Sequence, residues 1–388
     1  MYAHTWRDFL VRDKPSVYEV ARHAGVSTAT VSRVLAGHER VLPVTRDKVL
    51  SAVAELGYVP SGAARDLAAR RTGVLGLCFP DLGSSDLGSS DLGSSDLDQD
   101  EGDAAYWYDE VIRGMERAAR RSGYAVLIAA SRQPDDSGLV LSIAGRCDGL
   151  VVLARTAPLA MIEHVATRIP VVLLAAGQGP ANDEGAGDEG ACDEGPDGRG
   201  AAGGGRPDRV IDSLAVANET GAYQVTSHLT DVHGYRDVCF IAGPPDSPDS
   251  ARRLDGFRRA TASVNQVVVH YGDFTTAGGR QAAERIIAAG RVPRALVCAN
   301  DQTAIGVMAA LERAGLSVPG DVAVTGFDGI QLGRHLRPGL TTVVQPMAAL
   351  GDTAVAMLSE RIGGAELPPR AVELPVRLEL RGSCGCPE

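Results

Sequence analysis

Lysine is almost missing from this chain. Only Lys14 and Lys48 stand among the 38 basic side chains of its 388 residues, so cationic contacts fall to the forked, permanently charged guanidinium of arginine. Aromatic residues are scarce too, at 4%, which gives weight to any that gather in one place. No apolar run approaches the roughly 20 residues that span a bilayer. The opening residues, MYAHTWRDFLVRDK, carry acids and no apolar core of the kind a secretory signal needs. The seven cysteines show no metal or redox spacing, and their one close pair, Cys384 and Cys386, sits in the C-terminal tail. Free thiols, a cytoplasmic setting and no membrane partner are the expectation. Paired carboxylates, a nucleophile motif and a phosphate-cradling loop are also missing, so neither catalytic residues, a cofactor nor a metal is assigned.

What is present is unevenly spread. The net charge is −11, yet residues 1–75 hold eleven Lys/Arg against seven Asp/Glu. The excess acid lies in two stretches. Residues 81–103, DLGSSDLGSSDLGSSDLDQDEGD, carry eight acids and no base, and residues 177–208 carry eight acids and two arginines. Neither stretch has the aromatic or β-branched residues needed to offset the entropy of ordering, so both are expected to be disordered insertions. Their repeats match neither the EF-hand loop nor the nonapeptide β-roll, which argues against calcium. A basic N-terminal module joined to a near-neutral body is the charge plan of a nucleic-acid binder.

The basic module has a helical rhythm. In SVYEVARHAGVSTATVSRVLA (16–36), Ser16 and Glu19 form a capping box for a helix whose inner face is Val17, Val20 and Ala21. Gly25 breaks that helix and Ser27 caps a second, TATVSRVLA, with Val31 inward. Two short helices about such a turn predict a helix-turn-helix, whose second helix enters the major groove. A third helix follows at about 44–56, with Val49, Val53 and Leu56 inside.

Three motifs in order, VYEVARHAGVSTATVSRVLAG, TRDKVLSAVAELGYVP and AARDLAARRTGVLGL, resemble the lactose/galactose repressor (LacI/GalR) family, and the resemblance runs to about residue 382. By matched position it implies that Thr28, Ala29 and Arg33 face the bases, with Arg33 able to bond guanine bidentately. Ser27, Thr30 and Thr45 are implied phosphate contacts, and Ser16 joins this DNA-facing set. The chain departs from the family at Leu42-Pro43, where a capping Ser is usual, and at Ala36, where Asn is common. Residues 61–70, SGAARDLAAR, are too short for a stable isolated helix. The resemblance makes them a hinge helix that folds against the minor groove, with Leu67 as the wedge between base steps.

Beyond Val74, apolar runs at 74–79, 125–130, 149–154, 170–175, 237–243, 295–300 and 321–328 alternate with helical stretches. This predicts an α/β fold: the helix-turn-helix domain and hinge helix, then two doubly wound parallel-sheet lobes of periplasmic-binding-protein-like type. The expected division is an extension at 1–13, the helix-turn-helix domain at 14–60, hinge and linker at 61–72, and an effector-binding and dimerisation core at 73–382. Within the core the first lobe takes about 73–232 and 346–372 and the second about 233–345 and 373–382, with insertions at 83–104 and 177–208 and a tail at 383–388. Ligands of such folds bind at the carboxyl ends of strands. There the resemblance implies an effector site of Arg253, Phe274, Asn300 and Asp328, with Gln345 from the interlobe crossover and Tyr106, Trp107 and Tyr108 from the first lobe. Forked donors, a carboxylate and an aromatic plate suit a sugar. The implied protein is a homodimeric repressor that binds double-stranded operator DNA and answers to a small neutral sugar. A purine-type corepressor, or a sugar-binding protein with no regulatory role, are the alternatives. Asp301 is expected to be structural.

Overall fold

The computed structural model describes residues 15–35, 41–58, 71–80, 105–131, 136–175, 211–264 and 266–387. Ala36, the hinge helix with Leu67, the extension at 1–13 and both acidic insertions lie outside the described residues. The chain divides into two compact units, Met1–Thr72 and Gly73–Glu388.

The first unit contains α1 (Val17–Ala24), α2 (Thr28–Leu35) and α3 (Pro43–Leu56). The capping box is formed: Glu19 N donates to Ser16 Oγ at 3.3 Å, and Ser16 N donates to Glu19 Oε2 at 2.7 Å. Gly25 closes the helix at φ 67°. Thr30 N donates to Ser27 Oγ at 3.2 Å, which caps α2. Helix α3 starts without a side-chain cap at Leu42, as the sequence departure implies. Val20, Ala21, Val31, Val34, Val49 and Ala52 make the core, with Val53 and Leu56 packed at its edge. His23 and Glu55, 2.7 Å apart, tie α1 to α3.

The second unit is built on two six-stranded sheets. The first orders its strands β2 (Ala125–Ser131), β1 (Val74–Pro80), β3 (Gly149–Leu153), β4 (Val171–Leu174), β5 (Ile211–Val216) and β11 (Ala371–Leu374), all parallel. The second orders β7 (Gln266–Tyr271), β6 (Asp237–Ala242), β8 (Ala295–Cys298), β9 (Ala323–Asp328), β10 (Thr341–Val344) and β12 (Arg377–Glu379), of which β12 alone runs antiparallel. The central strands GLVVL, ALVC and AVTGFD are buried along their whole length, as strands covered by helices on both faces must be. Helices α4 (Ala105–Arg121) and α12 (Met347–Ile362) pack together over the first sheet. Val111, Met115, Ala118 and Ala119 of α4 are buried at helical spacing.

The seven expected strands are all present, within one or two residues. Four others, β5, β10, β11 and β12, lack the continuous apolar run and were not foreseen, nor was β7, whose run is only Val267–Val269. The first crossing between lobes comes at Ala217, earlier than the expected 232. The helix after it, α7 (Asn218–Ser227), packs on α8 (Pro248–Ala260) and on the second sheet. The last crossing falls between β11 and β12, so the first lobe keeps residues up to 374 instead of 372.

Candidate functional site

The cleft between the two lobes is organised around one buried cation. Ser247 caps α8 by accepting from Ser250 N, which sets Arg253 in its second turn facing inward, only 4% exposed. The guanidinium donates through Nε to Asn218 Oδ1 at 2.8 Å and through Nη1 to Ala299 O at 2.6 Å. Asp328 Oδ1 lies 3.5 Å from Nη1 and Asp249 Oδ2 lies 3.9 Å from Nη2. The group also stacks over the Phe327 ring at 4.0 Å, with the Phe274 ring 5.9 Å away.

Three acids share this corner, and burial raises each above the ordinary carboxylate range. Burial pushes Asp328 up to about 7 against the pull of Arg253, with Asp301 adding to the rise. Asp301 is pushed up to about 6 by burial, opposed by its hydrogen bonds. Burial raises Asp249 as well, opposed by Arg253 and Asn218. Asp301 accepts from Gly329 N and Ile330 N, both at 2.8 Å, and from Thr342 Oγ1 at 2.5 Å. It thus fixes the turn that leaves β9 behind Asp328. This is the structural role expected for it.

Phe274 holds a left-handed backbone, φ 71°, which is uncommon for a bulky residue. Two neighbours keep it there. Asn300 Nδ2 donates to Phe274 O at 2.8 Å, and the ring lies over Gly243, where a Cβ would stand 2.2 Å from Cζ. Asn300 Oδ1 caps α10 (Asp301–Arg313) by accepting from Thr303 N at 3.0 Å. Its amide is therefore already engaged in holding Phe274 and the helix.

Trp107, Tyr108, Arg253, Phe274, Asn300 and Asp328 meet around one solvent-connected cavity of about 110 Å³. Tyr108 is also packed on Phe79, with ring centroids 4.7 Å apart. Two of the predicted residues stand apart. Tyr106, 43% exposed, borders a neighbouring hollow on the other side of Asp328. Gln345 is buried between the two spaces, accepting from Trp107 Nε1 at 3.4 Å and donating to Asp328 Oδ1 at 2.5 Å. The sequence reading missed Asp249, Asn218 and Arg155. Asp249 stands four residues before Arg253 behind a Ser-Pro cap, a legible signal. Asn218 lies 35 positions from its partner, and Arg155 bridges the lobes by donating to Asp246 Oδ2 at 2.7 Å. Nothing local marks either.

In the first unit, α2 buries Val31 and Val34 and turns Ala29 and Arg33 to solvent, with Thr28 half-buried. Thr30 and Thr45 are half-buried at their helix starts, and Ser27 is exposed. Ser16 and Ser27 already serve as caps, so their hydroxyls have one function in place. Among the described residues no helix is long and apolar enough to cross a membrane.

Residues 16–61 match the model of bacterial regulatory proteins of the lacI family, and residues 226–384 match that of a periplasmic binding protein-like domain. The chain is 30% identical over 378 residues to the HTH-type transcriptional repressor PurR of Escherichia fergusonii, covering 95% of this chain and 96% of that one. It is 29% identical over 376 residues to catabolite control protein A of Priestia megaterium, covering 95% and 98%. Among solved structures, the transcriptional regulator CelR–cellobiose complex is 28% identical with a TM-score of 0.63, covering 95% of this chain and 100% of that one. The Lac repressor bound to ONPG in its repressed state is 25% identical with a TM-score of 0.74, covering 96% and 100%.

Proposed function

We propose, since this chain belongs to the lacI family of bacterial regulatory proteins, that it is a homodimeric transcriptional repressor whose operator affinity is set by a small neutral sugar in the interlobe cleft. The observation that carries the effector reading is the buried corner of Arg253, Asp249 and Asp328 facing the Phe274 and Trp107 rings. The guanidinium donates to vicinal hydroxyls and the carboxylates beside it accept from them, while aromatic faces cover the apolar side of a pyranose. The solved CelR structure is a cellobiose complex, which adds support for a sugar.

On the DNA side, α2 is the proposed recognition helix. Arg33, Thr28 and Ala29 face the bases, Ser27, Thr30 and Thr45 stand near phosphates with Ser16 on the same DNA-facing side, and Leu67 is the proposed minor-groove wedge. A two-fold dimer sets two such helices on a palindromic site. The setting is the cytoplasm, where that DNA is, and no catalytic step is assigned to the cleft.

A thermal-shift screen of the full chain against neutral sugars, sugar phosphates and purines tests the effector class, with Phe274→Ala as control. At 100 times its dissociation constant a ligand stabilises the fold by about 2.7 kcal/mol. A shift with one neutral sugar, lost in the variant, supports the reading. A shift with purines alone replaces the sugar by a purine corepressor. Selection from random duplexes then tests the operator, and recovery of no palindrome counts against the dimer.

A further inference from the structure

Far from the cleft, four side chains converge that no site described above uses. His228 opens the π-helical turn His228–Val232 that follows α7, and His233 closes it. Cys384 and Cys386 come from the C-terminal tail, 153 positions beyond His233 in the case of Cys386. Their ligand atoms all lie within 4.8 Å of one another. His228 Nε2 and His233 Nε2 are 3.1 Å apart. Cys386 Sγ lies 3.3 Å from His228 Nε2 and 3.5 Å from His233 Nε2, and Cys384 Sγ lies 3.7 Å from His228 Nε2.

We propose that His228, His233, Cys384 and Cys386 bind one zinc ion in a closed tetrahedral site that clamps the C-terminal tail to the second lobe. Zinc sits about 2.3 Å from thiolate sulfur and about 2.0–2.1 Å from imidazole nitrogen. A regular tetrahedron on those bonds has edges of about 3.3 Å between nitrogens, about 3.5 Å between nitrogen and sulfur and about 3.8 Å between sulfurs. The nitrogen–nitrogen separation and the three nitrogen–sulfur separations above fall close to these values before any ion draws the ligands in. Two thiolates and two neutral imidazoles balance the charge of Zn²⁺, so a half-buried site needs no further counter-ion. Each thiol gives its proton to solvent as the metal–sulfur bond forms.

The surroundings already orient the ligands. The Tyr235 ring stacks on His233, centroids 5.3 Å apart and 12° from parallel, and its hydroxyl donates to Cys384 O at 3.3 Å. The Arg294 guanidinium covers the Tyr235 ring at 4.5 Å. Thr341 Oγ1 lies 3.1 Å from Cys384 Sγ. Gly385, at φ 105°, turns the chain between the two cysteines so that both sulfurs face the imidazoles. Such outer contacts fix ring orientation in metal sites. A disulfide is the poorer use of this pair, since one intervening residue leaves a strained ring. The spacing shows no metal signature because its two halves come from opposite ends of the lobe's sequence.

The location defines the role. Thr341 opens β10, whereas Asp328 closes β9 and Ala299 follows β8, so the cluster lies at the opposite end of the sheet from the cleft. Four protein ligands leave no open position for a substrate, which makes the site structural. The inference does not depend on the effector proposed above.

The test uses the full chain, purified reduced and without chelator, with metals measured by inductively coupled plasma mass spectrometry. About one zinc per chain is expected, and less than about a tenth of that in Cys386→Ser. Cobalt added to the stripped protein should give the visible bands of a tetrahedral thiolate site, lost in the same variant. A chelator should lower the thermal midpoint of the wild type by several degrees and leave Cys386→Ser unmoved. Should Cys386→Ser fail to fold, His233→Ala carries the same measurements. Zinc bound equally by wild type and variants overturns the proposal. So does a reduced wild type that takes up neither zinc nor cobalt.

Discussion

Gln345 donates to the Asp328 carboxylate at 2.5 Å while accepting from Trp107 at 3.4 Å. One amide on the second crossover thus joins the aromatic wall of the first lobe to the acid end of a strand in the second. A ligand hydroxyl that reaches Asp328 Oδ1 would share that oxygen with Gln345, at the joint between the lobes.

Gly243→Ala should weaken effector binding at least tenfold, on the order of 1.4 kcal/mol. The added methyl would stand 2.2 Å from Phe274 Cζ, and the ring must leave its place over the cavity to make room. Titration calorimetry on the variant measures this. Unchanged affinity would mean that Phe274 does not cover the ligand.

Effector affinity should rise with pH across neutrality. Burial, opposed by Arg253, lifts Asp328 to about 7. A raised folded-state pKa favours the folded protein in acid, and that contribution is lost as pH rises through about 7. A sugar hydroxyl, in contrast, donates to the ionised carboxylate. Binding should therefore be roughly tenfold tighter at about pH 8 than at about pH 6, with release of a proton. Calorimetry in buffers of different ionisation enthalpy reads the proton directly. Proton uptake, or the same profile in Asp328→Asn, contradicts the assignment.

Asp212→Asn should destabilise the second unit by about 3 kcal/mol, because it leaves the buried Arg361 without its carboxylate, while Arg370 keeps Glu360. Asp212 is fully buried and accepts from Arg361 Nη2 at 2.5 Å and from Arg370 Nη2 at 2.9 Å. Burial alone would raise its carboxyl, but these hydrogen bonds outweigh burial and hold it below the usual range. Its stabilisation is present above the unfolded value of about 4 and lost as pH falls through the lower folded value. Urea unfolding of both proteins at neutral and acidic pH should show the difference shrinking in acid.

Arg33→Ala should cost about 1–3 kcal/mol of discrimination at one base pair of each half-site. Thr45→Ala, at a proposed phosphate contact, should weaken operator and scrambled duplex alike. Fluorescence anisotropy at one fixed salt concentration separates the two patterns. Equal losses on both duplexes for Arg33→Ala would move that residue to the backbone.

The legible parts of this protein are those written locally. The capping box of Ser16 and Glu19, the buried pair Val31 and Val34, and the apolar strands each carry their signal within a few residues. Arg253, Phe274 and Asp328 were placed by resemblance to a family, and the fold brings them to one cavity. The strands at 341–344 and 371–379 were missed because the sheet they join, not an apolar run of their own, makes them strands; 371–374 and 377–379 are exposed or half-buried edge strands. The same reason hides Asn218 beside Arg253 and the histidines beside Cys384 and Cys386. Tyr106 adjoins the cleft residues in sequence, yet the turn of α4 carries it to a neighbouring hollow.

The lobes are joined by very little chain. Val216 ends β5 and Asn218 opens α7; Val344 ends β10 and Met347 opens α12; Leu374 ends β11 and Arg377 opens β12. Links of one or two residues reach no more than about 3.5 Å per residue. Three such straps, side by side, leave the lobes no freedom to draw apart. What remains is tilt about the line of the straps, as a book opens about its spine. A ligand between the covers can then change only the angle at which the two lobes face each other.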